Sequence, residues 1–174
     1  MWKLEQYFPD KPYVNRGISG QTTPQMLVRF RQDVIDLRPA VVVILAGTND
    51  IAGNTGPMRS EDIEAGLASM AELAQAHGVR VILCSILPVH NYTEKAQDFF
   101  AQRPMTRILE LNQWQKEYCS KNGMVFLDYL PALVDAKGLL RRDVAEDGLH
   151  PDDVGYQIMA RLVQAAIQNA AGGR

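Results

Sequence analysis

The residues best suited to chemistry in this chain are Asp147 and His150, in the run Asp147-Gly148-Leu149-His150-Pro151. Acyl transfer needs a base beside a nucleophile and a carboxylate that holds the base in the right tautomer. An aspartate three residues before a histidine, on one loop entering a last helix, can supply that couple from a single turn. A histidine is otherwise most often a surface or satisfied core residue. His77, just before Gly78 at a helix stop, suits a favourable charge at a helix C-terminus. His90, within a long loop, is read in the same way. Asp143, Glu146, Asp152 and Asp153 crowd around the run and raise the question of a divalent metal. No second histidine stands at ligand spacing, and the aspartates after Pro151 suit the first turn of a helix. The expectation is no metal.

Two further segments stand where a strand ends or a helix begins. Gly47-Thr48-Asn49-Asp50 follows the most apolar stretch of the chain. A side-chain amide there can point an N–H into a site as an oxyanion donor, although a simple Asx turn would use the same residues. The run Asn15-Arg16-Gly17-Ile18-Ser19-Gly20-Gln21-Thr22-Thr23 carries two glycines that permit a tight turn into a helix. Backbone N–H groups at such a place can donate to an anion, and a plain strand-to-helix turn would also want glycine. Cys84 and Cys119 lack metal-ligand spacing and lie in apolar surroundings, where a thiol behaves as a small hydrophobe.

The elements that must position these groups alternate between strand and helix. Residues 40–46 (AVVVILA) are β-branched and apolar on both faces, as in a parallel strand covered on each side. Residues 79–85 and 124–127 repeat that signal in shorter form, and 12–15 do so weakly. Thr23 with Pro24 opens a helix whose apolar residues Leu27, Phe30, Val34 and Leu37 recur at spacings of three and four. Ser60 is placed to cap a second helix, with Ile63, Leu67, Met70 and Ala74 inward and Gly78 as its stop. A third spans residues 105–121, with Ile108, Leu111 and Tyr118 inward, and a last one follows Pro151. Residues 170–174 are expected to fray. Residues 87–103 are expected to form a surface loop that contacts substrate. The alternation predicts right-handed βαβ units and one three-layer α/β/α sandwich, with ligands at the carboxyl ends of its strands.

In this order, NRGISGQTT, GTND and DGLHP resemble conserved blocks of the SGNH hydrolase family, which includes GDSL esterases, lysophospholipases, acyl thioesterases and carbohydrate acetylesterases. The resemblance runs from about Tyr13 to about Leu162. It implies a flavodoxin-like parallel sheet and ester hydrolysis without a cofactor. It assigns Asp147 and His150 to the catalytic triad, and Gly20 N–H and the Asn49 side chain to the oxyanion hole. The family's first block, Gly-Asp-Ser before an aliphatic residue, supplies the nucleophile at the end of a first, central strand, and it is absent from this sequence. Trp2 matches the tryptophan that follows that block in many relatives, so the chain is expected to begin just downstream of it. A central strand of about 5–6 residues is then missing as well, to be made good by another copy of the chain, a rearranged sheet or an upstream segment. Among the serines present, Ser60, Ser69 and Ser120 fall on helices. Ser19 and Ser85 lie at the right edge but on no strained elbow that would expose a nucleophile.

Composition sets the outer bounds. A chain of 174 residues with 47% hydrophobic residues and net charge −2 suits a single soluble domain. That balance gives no electrostatic reason for nucleic acid as a partner, and no apolar run is long enough to span a bilayer. No phosphate-cradling GxxxxGK[ST] is present to support a nucleotide binder. The partner expected is a small ester, and the compartment stays open.

Overall fold

The computed structural model describes residues 3–172. Three strands, β1 (Val41–Ile44), β2 (Arg80–Cys84) and β3 (Val125–Leu127), form a parallel sheet in the order β1-β2-β3. Val41 stands opposite Arg80 and Ile82 opposite Val125. Parallel neighbours need long crossovers, which helices provide. The 17-residue α4 (Ser60–Ala76) joins β1 to β2. Helices α5 (Ala96–Gln102) and α6 (Met105–Lys121) join β2 to β3. Four further helices complete the set: α1 (Leu4–Tyr7), α2 (Thr23–Asp33), α3 (Thr48–Ile51) and α7 (Leu130–Leu133), before the final α8 (Asp153–Gly172).

Strand residues alternate between two apolar cores, and this makes the three layers. Ile44, Val81 and Leu83 face a cluster built with Phe30, Ile63, Leu67, Met70, Ile108 and Leu111 of α2, α4 and α6. Ile82, Cys84 and Leu127 face the other way, onto Leu133, Met159 and Val163 of α7 and α8. β1 is one of the two edge strands, and there Val43 and Leu45 stay 37% and 40% exposed.

Several local expectations differ from the structure. Residues 12–15 are not a strand: they find no ladder partner, and Val14 is 67% exposed. Tyr13 instead packs edge-on against Phe8 at 5.3 Å. Residues 87–103 are not a surface loop throughout. Leu87, Val89 and His90 are buried, and α5 follows with no side-chain cap to announce it. Thr22, not Thr23, is the N-cap of α2, where its N–H donates to Gln25 Oε1 at 3.0 Å. Ser60 is the first helical residue of α4 rather than its cap. The chain end is more ordered than expected, because α8 continues to Gly172 and Arg80 donates to the Ala170 and Ala171 carbonyls at 2.7 and 2.8 Å. Trp2, Gly173 and Arg174 lie outside the described residues.

One buried amide governs the end of β2. Asn112 on α6 accepts from Ile86 N–H at 2.7 Å and donates to Ile86 O at 2.9 Å, closing both backbone groups of a residue past its strand. An orphaned buried backbone group costs about 1–3 kcal/mol. Asn112→Leu, similar in size but without partners, should lower stability by at least that amount. Urea unfolding should show the midpoint falling at an unchanged slope.

Candidate active site

The turn between Val144 and α8 is organised by one carboxylate. Asp147 Oδ1 accepts from Leu149 N–H at 3.0 Å and His150 N–H at 2.8 Å, while Oδ2 lies 2.7 Å from His150 Nδ1. The turn needs Gly148. It sits at φ +86°, and a β-carbon there would lie 2.4 Å from Ala96 Cβ and 2.9 Å from His90 O. Partial burial pushes the Asp147 carboxyl up, but hydrogen bonds from the His150 ring and from the His150 and Leu149 N–H groups outweigh it and hold the group below the usual carboxylate range. An ionised carboxylate only accepts, so Nδ1 carries a hydrogen, and in the neutral ring Nε2 then carries the lone pair. Nε2 has no partner among the described residues, and the His150 side chain is 62% exposed.

The second half of the site joins the end of β1 to the turn before α2. Gly47, at φ +111°, passes so close to Ile86 that a β-carbon would lie 2.6 Å from its Cδ1. Beyond it, Asp50 is 1% exposed and accepts from Thr23 N–H at 2.8 Å and from Thr23 Oγ1–H at 2.6 Å. Asn49 Nδ2 donates to Gln21 O at 2.9 Å, and Asn54 Nδ2 to Gly20 O at 2.9 Å. Residues 49–54 thus hold the 20–23 turn against the strand end. One Asn49 amide hydrogen is used inside the protein, and the other has no partner among the described residues. Gly20 is exposed, and its N–H has no partner among the described residues. The sequence marked Asn49 but not Asp50, whose other oxygen, Oδ2, is buried without a partner.

Helix α5 connects the two halves. The Phe99 ring meets the His150 imidazole edge-on, at 5.8 Å and 89°. The Arg103 guanidinium lies 5.6 Å from the centre of the same ring, and its Nε donates to Thr48 Oγ1 at 3.0 Å. A continuous chain of contacts therefore runs from His150 through Phe99, Arg103 and Thr48 to Asn49. Arg103 is 4% exposed and no carboxylate among the described residues pairs with it, so burial lowers its pKa. Phe99 and Arg103 escape a sequence reading because an aromatic and a cation in a polar stretch look like loop surface.

Other candidates have structural employment. Ser85 is fully buried and its Oγ accepts from Tyr129 N–H at 2.9 Å, whereas Ser19 is exposed. Burial pushes the Cys84 thiol up to about 12 and the Cys119 thiol up to about 11, which leaves both unreactive. His77 Nδ1 meets Leu73 O at 2.8 Å near the end of α4. Three of the acidic residues near the turn have partners within the fold. Asp143 pairs with Arg141, Asp152 accepts from Val154 and Gly155 N–H at the start of α8, and Asp153 accepts from Tyr7. No group of three potential metal ligands forms among the described residues.

Comparison with known proteins finds a match between residues 2–158 and the GDSL-like lipase/acylhydrolase family. The chain is 33% identical over 152 residues to the esterase TesA of Pseudomonas aeruginosa, covering 85% of this chain and 67% of that one. It is 31% identical over 112 residues to the lipoprotein YqeF of Bacillus subtilis, covering 60% of this chain. It spans only 46% of that lipoprotein's length. A solved GDSL-like lipase from Bacteroides thetaiotaomicron superposes with a TM-score of 0.86 at 40% identity, over 96% of this chain and 80% of the other.

The depressed Asp147 value has a stability consequence of definite sign. Its folded pKa lies below its unfolded one, near 3.9. The stabilisation is therefore present above that value and is lost as pH falls through the folded one. The stability difference between the wild type and Asp147→Asn should shrink as pH drops from about 6 to below about 3. Urea unfolding across that range measures it, and a difference that stays constant would contradict the assignment.

Proposed function

The chain belongs to the GDSL-like lipase/acylhydrolase family, and on that premise we propose that its site hydrolyses small or short-chain carboxylic esters by a Ser-His-Asp mechanism. The serine comes from a Gly-Asp-Ser block, which the 174 residues do not contain. The observation that carries the proposal is the 2.7 Å contact between His150 Nδ1 and Asp147 Oδ2 with Nε2 left without a partner among the described residues. That is the arrangement a general base needs: one nitrogen fixed, the other offered.

In this mechanism the serine oxygen attacks the ester carbonyl carbon as its proton passes to His150 Nε2. Asp147 stabilises the resulting imidazolium. The tetrahedral oxyanion accepts from Gly20 N–H and from the spare Asn49 amide hydrogen. Collapse breaks the bond to the alcohol, which leaves with the proton from Nε2. Water then repeats the sequence on the acyl-enzyme and releases the acid. The serine strand pairs along the outer edge of β1. Two facts support that edge: β1 has a neighbour on one side only, and Val43 and Leu45 there are partly exposed.

A second reading rests on the sequence's lack of Gly-Asp-Ser: a module that keeps the pocket and binds esters or sugars without turnover. One experiment separates the two. A strand ending in Gly-Asp-Ser, joined ahead of Trp2, should raise p-nitrophenyl acetate hydrolysis by orders of magnitude over the 174-residue chain. Ester binding without turnover in the joined protein would favour the binding module. Turnover by the shorter chain that is lost on Ser19→Ala would place the nucleophile at Ser19. In the joined protein, Asn49→Ala should lower kcat by about 10²–10³, the usual effect of losing one oxyanion donor. An unchanged rate would remove Asn49 from the oxyanion hole.

A further inference from the structure

His90 is fully buried, and its hydrogen bonds lead to the turn that carries Asp147. Its backbone N–H donates to Gly148 O at 3.0 Å, and its ring Nε2 lies 2.7 Å from Ala145 O. Three residues on, Thr93 Oγ1–H reaches Glu146 O at 3.5 Å. The carbonyls of residues 145, 146 and 148, on both sides of Asp147, are thus all served from the segment 90–93. The ring also fills space that no side chain at position 148 could share, since a β-carbon on Gly148 would lie 3.1 Å from His90 Nδ1.

The roles of the two ring nitrogens are fixed by their partners. Ala145 O can only accept, so Nε2 carries a hydrogen. Nδ1 accepts from Tyr92 N–H at 3.2 Å, so it carries a lone pair. Tyr92 in turn stacks on the His90 ring at 5.1 Å and donates its hydroxyl to Asp135, which anchors the segment to the loop after α7. A histidine used only as apolar filler would need neither a defined tautomer nor two bonds to the turn beside a reactive pair.

We propose that His90 is a positioning residue of this site. It clamps the 145–148 turn so that Asp147 stays aligned with the imidazole and fixes the His150 proton on Nδ1. Its role rests on Asp147 and His150 being the carboxylate and base proposed above. His90 touches no reacting atom and acts through the turn. Displacements of about 1 Å transmitted to a catalytic group from such a distance lower rates by about 10²-fold.

The chain has three histidines, so imidazole ¹⁵N spectra of histidine-labelled protein can report each tautomer separately. In the wild type, neutral His150 should carry its proton on Nδ1 and His90 on Nε2. Two amide variants divide the work of the His90 ring. The His90→Gln side chain is long enough to donate to Ala145 O. His90→Asn can only take the Tyr92 N–H. His90→Gln should keep His150 in the Nδ1–H form, and His90→Asn should release it into a mixture of tautomers. In the protein joined to a Gly-Asp-Ser strand, His90→Asn should lower kcat by about 10²-fold with KM within about twofold, and His90→Gln should recover most of that loss. Indistinguishable His150 spectra in the two variants would overturn the proposal. So would a wild-type His90 protonated on Nδ1, a measurement that needs no variant to fold. Asp147→Asn tests the underlying couple. If it leaves the His150 tautomer unchanged, the base–carboxylate assignment fails. If it releases His150 while His90→Asn does not, the couple stands and only His90's role is lost.

Discussion

Strands that pair in parallel must all end on the same edge of their sheet, and that edge is where the candidate groups of this chain are gathered. β1 ends at Ile44 and leads through Gly47 to Asn49 and Asp50, while β2 ends at Cys84 and leads through Ile86 to His90. Ser85 then binds β2 to the chain beyond β3, through Leu127 O and Tyr129 N–H. The turn at Asp147 belongs to no strand end. It is brought to the same edge by α8, which packs on the sheet through Met159 and Val163, and by the His90 segment pressed against Gly148. Without the parallel register, Asn49 and His150, a hundred residues apart, would have no reason to be linked through Phe99 and Arg103.

Two carboxylates play similar parts at the two ends of that link. Asp50 accepts an N–H and a hydroxyl from Thr23 deep in the protein, where an unmade hydrogen bond is expensive. It holds the 20–23 turn rigidly against the end of β1. Asp147 accepts two backbone N–H groups from its own turn and offers its remaining oxygen to the His150 ring. In the proposed mechanism the first would hold the donors for a developing negative charge, and the second would hold the base. Their surroundings differ: Asp50 is shut away, whereas His150 beside Asp147 stands open at the surface.

The sheet was legible in the sequence because its strands are continuous apolar runs, although β1, read as covered on both faces, lies at a sheet edge with Val43 and Leu45 partly exposed. Helices α4, α6 and α8 were legible from their three-and-four spacing and the glycines after the first two. Asp147 and His150 were legible because three residues of separation let one turn supply both groups. What depends on non-local packing was not. Residues 12–15 have strand composition, but a strand also needs a neighbour, and composition says nothing about neighbours. α5 has no cap and too few turns to show a period, so Phe99 and Arg103 were lost in an apparent loop. Asp50 and His90 carry residue types common in turns and loops. Their burial and bonding arise only when Thr23 and Gly148, distant in sequence, are folded against them.

The central claim is geometric: Gly20 N–H, the Asn49 amide and His150 Nε2 converge on one reacting carbonyl. The most direct measurement is a crystal structure of the chain joined to a Gly-Asp-Ser strand, its serine trapped by a p-nitrophenyl phosphonate. The phosphoryl oxygen should lie roughly 2.7–3.1 Å from both Gly20 N and Asn49 Nδ2, with His150 Nε2 within hydrogen-bond reach of the serine oxygen. A phosphoryl oxygen turned away from Gly20 and Asn49, or an adduct on another residue, would contradict the account.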